Sequence, residues 1–572
     1  MSTDMQDATR AEPTFFVGTY WKQALFLGVL SLCLNLVGNG KVGLWDRDEP
    51  RYAGAVREMK QSGDYIVPQF NALPRYHKPI LVYWLMSVGT WVGGDNPFGA
   101  RLASSIFTVG TVFVVWWFGR KLLGSSWGFL AALIYAVSPI VIAEAKLATT
   151  DAALSLFVVG AMACLWSFRC SPSRKAAFGF WILLALSVLQ KGPIGPALIF
   201  VSAAASFALT PSLERWSWIR GLEWKWGLGL FFLLTVPWYL AVGILTDWDY
   251  YRFALGDQVI RRATQGMETH GGFPGYYIVF SLATFFPWSA FVPAAILAAW
   301  KNRKASDDLV FLLGWAIGPL IFLEIVKTKL IHYYLPAFPA LAILTAWFFQ
   351  QAADSDLLTI RRRPLGKLAT ALLGGVGISA GTGLLAALAV IPSEMHASVV
   401  VVALATIVGT LVAIYRLHHG RNHEALVGMV GSTALMMALV AGWALPAAEP
   451  FRLSRLTGER LAELARKHSA KPVVVTYQEP GIIYALGRPA PTLRNPKLAF
   501  EWLQENDALI APMFPNQVET YAKDERFVVE VVDRLEGFNI NKGLPHDLRF
   551  TKIRLEPKLA AARIIEKATR RR

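Results

Sequence analysis

The sequence has few charged residues. Only 17% of the 572 residues are Asp, Glu, Lys or Arg, against about a quarter in an average soluble protein. Hydrophobic residues make up 54% of the chain, and the mean hydropathy is +0.40. This composition excludes a disordered chain and an ordinary cytosolic globular protein. It indicates an integral membrane protein.

Cysteine is also scarce, and nucleotide-binding motifs are missing. Cys33, Cys164 and Cys170 are too few and too far apart for a disulfide framework or a metal knuckle. The sequence contains no internal repeat and no Gly-rich phosphate loop in a useful context, so ATP-driven transport is not expected.

About thirteen apolar stretches are close to the roughly 20 residues that a helix needs to cross a bilayer. They lie near 23–39, 100–118, 126–143, 151–168, 176–190, 194–210, 227–245, 277–299, 309–326, 334–350, 367–391, 397–415 and 425–445. The first stretch follows a polar tail and has no small-residue cleavage site behind it. We therefore predict an uncleaved first span rather than a signal peptide.

Lysine and arginine give the orientation, because cytoplasmic loops carry an excess of them. With the N-terminus in the cytoplasm, every second loop should be basic, and all of these loops are. Their basic residues are Arg120, Lys121, Arg169, Arg174, Lys175, Arg215, Arg220, Lys225, Lys301, Arg303, Lys304, Arg361, Arg362, Arg363, Lys367, Arg416 and Arg421. Much of the formal charge of +16 therefore marks the cytoplasmic edge, near anionic lipid headgroups, and does not indicate nucleic-acid binding.

The predicted fold class is thus a polytopic α-helical membrane protein with a small C-terminal α/β domain. We expect a transmembrane domain over 1–445 and an extracytoplasmic domain over 446–572. Alternating apolar residues at Pro472–Tyr477 and Phe527–Val532 predict strands, and Leu461–Lys467 is typical of a helix.

Two long outer loops, 42–98 and 246–276, contain much of the remaining charge. Amphipathic stretches at 50–61 and 80–92 predict juxtamembrane helices in the first of them. The ionisable residues expected on this outer side include Arg47, Asp48, Glu49, Arg51, His77, Lys78, Glu144, Lys146, Asp151, Lys191, Arg252, Arg261, Arg262, Glu268, His270, Glu324, Lys327, Lys329 and His332.

Ionisable residues near membrane depth are costly and are therefore functional candidates. A mixture of acids and bases suits an anionic, lipid-linked substrate. Carboxylates can engage sugar hydroxyls or an acceptor, and Lys or Arg can bind a phosphate. The same cations would stabilise the charge that develops on a phosphate leaving group.

Each candidate also has a structural alternative. Asp48 and Glu49 could simply open a helix before Pro50, and Asp151 could cap another. Lys78 could snorkel to the headgroups, and Lys191, beside a Gly-Pro turn, could be an interface anchor.

The later lysines and the histidines have alternatives of the same kind. Lys327 and Lys329 could also snorkel to the headgroups. His77 could join His270 or His332 and Glu268 in a zinc site, although ligand spacing on one helix is missing.

The order of these motifs resembles a known family. Asp48-Glu49-Pro50-Arg51-Tyr52-Ala53 is followed by Lys78-Pro79-Ile80, then Thr150-Asp151, Lys191-Gly192-Pro193, His270 ahead of Pro274-Gly275-Tyr276-Tyr277, and Lys329-Leu330 with Tyr333. This series is similar to the aminoarabinose lipid A transferases and their relatives in the protein O-mannosyltransferase-like branch of the C-type glycosyltransferases. The resemblance covers nearly the whole chain.

The resemblance implies a polyprenyl-phosphate (undecaprenyl-phosphate) sugar donor, an envelope acceptor such as lipid A, and a periplasmic active site in a bacterial inner membrane. It implies a transferred sugar of the 4-amino-4-deoxy-L-arabinose type. Asp48 would be the main catalytic carboxylate, accompanied by Glu49 and Asp151. The implied donor-phosphate residues are Lys78, Arg51, Tyr333, Lys329 and Arg262, and the possible substrate-binding residues are Tyr52, His77, Lys191 and His270.

The sequence departs from the family at three positions. His77 stands where close aminoarabinose transferases usually carry Glu, Ile80 replaces a second Pro, and Gln258 stands where a second metal-ligating His would be expected. These departures weaken the aminoarabinose assignment in particular. No cofactor is expected to be required, and a divalent metal stays an alternative.

Rival functions follow from the same residues. The nearest is the same chemistry with another sugar, or with a glycan or protein hydroxyl as acceptor, in which case Asp48 would act as the base. A lipid-linked sugar transporter or flippase is a rival of another class, although repeats and broken midplane helices are not evident. A scaffold that binds partners through its outer domain is a third.

Overall fold

The computed structural model describes residues 19–210, 213–254, 256, 272–355, 364–539 and 544–561. The chain forms two compact units, each built from separate parts of the sequence. The first comprises Met1–Gly40 and Tyr76–Ala447, and the second Lys41–Arg75 and Ala448–Arg572. Much of the first outer loop thus belongs to the same unit as the C-terminal segment, although we expected it to be part of a continuous N-terminal domain.

Helices dominate the first unit, and the second unit holds the longer strands. In chain order the α-helices are α1 (Tyr20–Leu36), α2 (Asp48–Ser62), α3 (Leu81–Gly93), α4 (Pro97–Leu123), α5 (Ser125–Val137), α6 (Pro139–Ala145), α7 (Asp151–Cys170), α8 (Arg174–Lys191), α9 (Ile194–Ala208), α10 (Trp224–Leu245), α11 (Asp249–Phe253), α12 (Tyr276–Thr284), α13 (Val292–Asn302), α14 (Asp307–Ile325), α15 (Phe338–Ser355), α16 (Pro364–Ala387), α17 (His396–His418), α18 (Asn422–Leu439), α19 (Leu445–Ala448), α20 (Leu453–Lys467), α21 (Pro480–Leu486), α22 (Pro496–Leu503) and α23 (Pro515–Ala522). The strands are β1 (Gln69–Phe70), β2 (Leu73–Pro74), β3 (Lys471–Pro472), β4 (Leu509–Met513), β5 (Phe527–Asn539) and β6 (Leu544–Leu555).

Within the described ranges, eight helical segments are long and apolar enough to cross a membrane. They are Pro97–Leu123, Asp151–Cys170, Trp224–Leu245, Asp307–Ile325, Ile331–Ala353, Pro364–Ala387, Ser393–His418 and Asn422–Phe451. A ninth results if α5 and α6, bent by 61° at their junction, form one broken span. The chain is therefore a multi-pass helical membrane protein.

The stretch near 277–299, expected to be one span, is interrupted. Helix α12 ends at Thr284 and α13 begins at Val292, with a short 3₁₀ turn at Trp288–Ala290 between them. Pro287 lies in the break. Proline has no backbone N–H and clashes with the preceding turn, so a continuous helix through this position is disfavoured.

The core of the first unit consists of apolar helices packed closely together. Leu130, Ile134 and Val137 of α5 are fully buried, as expected for a helix that is hydrophobic on all sides. Helices α9 and α14 approach each other at Gly314 and Gly318, where an added Cβ would overlap the backbone of α9. Small residues at such a spacing allow membrane helices to pack backbone to backbone.

In the second unit, a four-stranded sheet has the strand order β3-β4-β6-β5. Strand β4 pairs parallel with β3 and antiparallel with β6. Ile510 faces one apolar layer, together with residues of α20, and its neighbours Leu509 and Ala511 face the other. This alternation buries both faces of the central strand.

Helix α2 and the β1–β2 hairpin belong to the same unit. The carboxylate of Glu58 accepts hydrogen bonds from the backbone N–H groups of Asn71 (2.7 Å) and Ala72 (3.0 Å). Both turn residues have positive φ, 59° and 58°. Glu58 thus anchors a turn with a sparsely populated backbone conformation. Helices occur at both stretches for which amphipathicity predicts them, as α2 and α3.

Candidate active site

Four charged or titratable side chains meet where membrane helices of the first unit begin or end. Glu144 lies in the last turn of α6, Asp151 is the first residue of α7, and Lys191 is the last residue of α8. His332 comes from the 3₁₀ segment Ile331–Ala337. The negatively charged Asp151 lies at a helix N-terminus, where the aligned backbone dipoles favour an anion.

The central contact is an ion pair between Lys191 and Asp151. The Lys191 Nζ lies 2.5 Å from Asp151 Oδ1, and the two side chains are 8% and 7% exposed. The hydroxyl of Thr150 donates a hydrogen bond to the other carboxylate oxygen of Asp151 at 3.0 Å. A buried pair of this kind is stable only because each charge offsets the other.

These contacts overturn two of the structural alternatives. Lys191 is not an anchor at the interface, because its amino group is buried against Asp151. Asp151 is not a helix cap, since Thr150 is the N-cap residue and no side chain makes a cap hydrogen bond there.

His332 lies between two carboxylates. Its Nδ1 is 3.3 Å from Glu144 Oε1, and its Nε2 is 3.7 Å from Asp151 Oδ2. The Glu144 carboxylate is 3% exposed and also accepts a hydrogen bond from the Thr149 hydroxyl at 3.2 Å. The imidazole therefore links two acids that would otherwise repel each other.

Tyr333 completes this cluster. The ammonium of Lys191 lies 4.7 Å from the centroid of the Tyr333 ring, within the range of a cation–π interaction. The cluster thus combines two carboxylates, a fixed cation and a half-exposed aromatic ring at the ends of apolar helices. Such a set can bind a polar headgroup while its lipid tail stays among the helices.

A second ion pair holds the start of α12. Glu324 pairs with Lys329 through a short contact and accepts the backbone N–H groups of Gly275 (3.2 Å) and Tyr277 (3.0 Å). Lys329 is 5% exposed and also donates to the carbonyl of Phe273 at 3.2 Å. Lys329 is therefore not a snorkelling side chain, and its charge is compensated within the fold.

A cavity of about 450 Å³ opens beside this pair. Glu324, Lys327, Lys329 and Gly275 are among its lining residues. Lys327 is exposed, unlike Lys329, so the two neighbouring lysines differ in what they can offer to a ligand.

The Lys-Pro motif of the first loop precedes α3. Lys78 is half-buried and His77 is exposed. The His77 ring lies 4.9 Å from the ring of Phe253, and Tyr76 lies 5.9 Å from Tyr250. This motif therefore borders an aromatic cluster formed by the end of α10 and by α11.

In the second unit, the two acids of the first motif differ in exposure. Asp48, the first residue of α2, is exposed, whereas Glu49 is 1% exposed. The Glu49 carboxylate accepts the backbone N–H of Trp45 at 2.7 Å. Both acids lie in the first turn of α2, and no side chain makes a cap hydrogen bond there. Neither acid is therefore a helix cap, and the carboxylate of Asp48 is accessible.

Arg51 and Tyr52, which follow in this motif, differ in how deeply they are buried. Tyr52 is 3% exposed, and the Arg75 guanidinium lies 5.0 Å from its ring centroid. Tyr52 is thus a core residue of the second unit. Arg51 is half-buried.

Two predicted site residues, Arg262 and His270, lie outside the described residues, as does Glu268 of the suggested zinc site. Among the residues that the structure does describe, no group of three His, Cys, Asp or Glu side chains is arranged to hold a metal ion.

The sequence placed Glu144, Glu324 and His332 among the outer-side ionisable residues, and His332 in an alternative zinc site, but gave none of them a role in the implied reaction. Their only local signal is an ionisable residue beside an apolar run, which many snorkelling side chains share. Glu144 and His332 are distant from each other in sequence, so only the fold reveals that pair, whereas Glu324 pairs with the nearby Lys329.

The chain is also similar to known proteins in sequence and in fold. Residues 22–249 match the family model described as dolichyl-phosphate-mannose-protein mannosyltransferase. The undecaprenyl phosphate-alpha-4-amino-4-deoxy-L-arabinose arabinosyl transferase of Aeromonas salmonicida is 30% identical over 75% of this chain and 71% of its own. The chain belongs to this arabinosyl transferase family.

Other members and a solved structure extend the comparison. The family member from Edwardsiella ictaluri is 32% identical over 59% of this chain and 61% of its own length. The matched region spans between 55% and 65% of the first four relatives. The crystal structure of ArnT from Cupriavidus metallidurans bound to undecaprenyl phosphate superimposes with a TM-score of 0.74 at 20% identity, covering 94% of this chain and 98% of that one. This likeness establishes a common fold.

Proposed function

We propose that the protein transfers a 4-amino-4-deoxy-L-arabinose-type sugar from undecaprenyl phosphate to lipid A. Membership of the arabinosyl transferase family supports the donor and the sugar. The observation that carries the proposal is the cluster of Asp151, Lys191, Glu144 and His332, because buried charges at the ends of apolar helices suit a polar group on a lipid carrier.

The reaction is a displacement at the anomeric carbon of the sugar. The bond from this carbon to the donor phosphate oxygen breaks, and undecaprenyl phosphate leaves with the electron pair. An acceptor oxygen forms the new bond to the same carbon. If that oxygen belongs to an ionised phosphate, no proton has to be removed; if it is a hydroxyl, a carboxylate takes its proton.

For the acidic residues, we propose that Asp48 is the catalytic carboxylate. Its exposure at the start of α2 fits this role. Glu49 shapes the loop before it, and Asp151 acts through its pairing with Lys191.

For the donor phosphate, we propose Lys78 as the principal cation, with Arg51, Tyr333, Lys329 and Arg262 contributing. Lys191, His77 and His270 would serve substrate binding, whereas Tyr52, buried in the core of the second unit, would not contact the substrate. The cavity beside Lys329 and the contact between Lys191 and Tyr333 support this division. No cofactor enters the proposed reaction.

The proposed topology has thirteen spans in a bacterial inner membrane, with the N-terminus in the cytoplasm and a periplasmic α/β domain that includes 446–572. The second unit is formed by two separate stretches of chain, and this supports an even number of membrane crossings between them. Lys41–Arg75 and Ala448–Arg572 form one compact unit, so they must lie on the same side of the membrane. An even number of crossings must therefore separate them, and thirteen spans satisfy this condition.

The proposal is tested with purified protein in proteoliposomes that contain the lipid-linked sugar and lipid A. Mass spectrometry should detect lipid A with an added aminoarabinose. Asp48→Asn and Lys78→Ala should each abolish the product, because one removes the carboxylate and the other the phosphate partner. Glu525→Gln and Lys60→Ala change exposed residues and should retain activity.

Two outcomes would contradict the proposal. Activity like that of the wild type in the Asp48→Asn protein would exclude this carboxylate from catalysis. Movement of the lipid-linked sugar across the bilayer without a covalent product would favour a transporter.

A further inference from the structure

The backbone just before Asp48 is held by an arginine from the C-terminal part of the second unit. Arg452, which is 3% exposed, donates from Nη1 to the carbonyl of Gly43 at 2.8 Å. Its Nη2 donates to the carbonyl of Leu44 through a short hydrogen bond. One guanidinium thus binds two consecutive carbonyl groups, a geometry that suits its planar fork.

The same guanidinium continues the contact toward α2. It lies 4.5 Å from the ring centroid of Trp45, and the backbone N–H of Trp45 donates to Glu49 at 2.7 Å. A chain of contacts therefore runs from Arg452 through Trp45 to Glu49, the residue next to Asp48. Every link is buried or half-buried.

A second tether acts on Asp46. Its carboxylate accepts the backbone N–H of Gly481 at 2.8 Å and, through a short hydrogen bond, the hydroxyl of Ser454. An added Cβ at Gly481 would overlap the Asp46 carboxylate, which would then have to move. Burial raises the pKa of Asp46, and the nearby Glu479 acts in the same direction. This carboxylate is therefore enclosed and directed into the fold.

The charge of Arg452 is balanced locally. Glu449 Oε2 lies 2.8 Å from Arg452 Nη1, and Glu449 Oε1 lies 2.9 Å from Arg455 Nη1. Because Glu449 supplies the counter-charge, other N–H groups of Arg452 can donate hydrogen bonds to backbone carbonyls. Ordering the main chain is the function that this arrangement serves best.

We infer that Arg452 and Asp46 are positioning residues, which set the backbone of 43–46 and thereby the direction of the Asp48 carboxylate. The inference rests on the proposed function of Asp48. It assigns to the C-terminal segment an indirect part in the reaction, through Asp48, since a displacement of about 1 Å at a reacting group can lower a rate about 100-fold.

The test compares Arg452→Lys with the matched control Arg466→Lys, whose side chain is exposed at the end of α20. Lysine keeps the charge but lacks the fork and the flat face. In the proteoliposome assay, Arg452→Lys should lower kcat between about 10-fold and 100-fold and leave KM for the lipid-linked sugar within about twofold. The control should behave as the wild type.

Hydrogen exchange gives a readout that does not depend on activity. In Arg452→Lys, amides within 43–50 should exchange faster, while amides of β4 and β6 should keep their protection. If Arg452→Lys removes the protection of the whole unit, Trp45→Leu takes its place as the test. Trp45→Leu removes the stacking contact with Arg452 and leaves both hydrogen bonds from Arg452 to the carbonyl groups. It should show a smaller change of the same kind.

The outcomes separate this inference from the proposed function. Unchanged kcat and unchanged exchange in Arg452→Lys, with an active wild type, would overturn the positioning role. A rise in KM of about 10-fold to 100-fold with an unchanged kcat would also overturn it. If the wild-type protein transfers no sugar but Arg452→Lys still exchanges faster at 43–50, the positioning contacts are supported and the proposed function is rejected.

Discussion

Two carboxylates in the first unit are held in the opposite way to two in the second. In the first, Asp151 and Glu144 are bound by charged or titratable side chains, Lys191 and His332. In the second, Asp46 and Glu49 accept backbone N–H groups, and a buried arginine binds carbonyls. The difference teaches that Asp151 and Glu144 depend on neighbouring charged or titratable side chains, whereas Asp46 and Glu49 depend on an ordered main chain.

Removing one member of the buried pair should have the largest effect on stability. Lys191→Met leaves Asp151 buried without its cation, and breaking such a pair costs about 3–5 kcal/mol. We expect this loss in the free energy of unfolding, measured by denaturant titration of the purified protein in detergent. Lys301→Met changes an exposed lysine and should have almost no effect.

The double variant Asp151→Asn/Lys191→Met sharpens the comparison, because it removes both charges. We expect it to recover most of the lost stability and to remain inactive in sugar transfer. A double variant as unstable as Lys191→Met would mean that neutralisation is not what holds this cluster.

Lys146 is an intermediate case, since in the first unit it binds backbone instead of an acid. Its Nζ donates to the carbonyls of Val37 (2.6 Å) and Asn35 (3.1 Å) at the end of α1. Lys146→Met leaves those carbonyls without this donor, so we expect a loss of about 1–3 kcal/mol.

The pH dependence of this loss has a definite sign. Burial, assisted by Arg101, lowers the pKa of Lys146 from 10.5 to about 8. Between these values the unfolded chain binds the proton more than the folded chain, so wild-type stability should rise with pH in this window. Lys146→Met should lack this rise in unfolding experiments at pH 7.5 and pH 10. Parallel profiles for the two proteins would contradict the assignment.

The smallest effect is expected at a backbone contact of the second unit. Asn71 donates to the carbonyl of Ala490 at 3.0 Å and accepts its N–H at 2.7 Å. Asn71→Ala removes both bonds at a residue with φ 59°, which alanine adopts less readily. We expect a loss of about 1–2 kcal/mol, seen as faster hydrogen exchange in 485–495, whereas Gln61→Ala, an exposed change, should leave exchange there unaltered.

The sequence was sufficient for the class of protein and for the family. Apolar runs predict membrane helices, and the described ranges contain eight that qualify. Amphipathicity predicts α2 and α3. The motifs Asp48-Glu49-Pro50 and Lys78-Pro79 led to the family that the comparisons show.

The pairings of Lys191 with Asp151 and of His332 with Glu144 could not be predicted, because they join residues far apart in the chain. Lys191 beside Gly-Pro resembled an interface anchor, since nothing local marks Asp151 as its partner. The role of Arg452 could not be predicted from the sequence for a different reason. Its partners are carbonyl groups, which every residue carries, so they leave no trace in the sequence.

The division of the second unit between two stretches of chain also constrains biosynthesis. Helix α2 emerges from the ribosome early and buries Val56 and Met59, but α21, on which it packs, follows only after Tyr76–Ala447 has been made. During translation the surface of α2 that contacts α21 stays uncovered until the chain beyond Ala447 has been made. A chain that ended before α21 would keep this surface exposed.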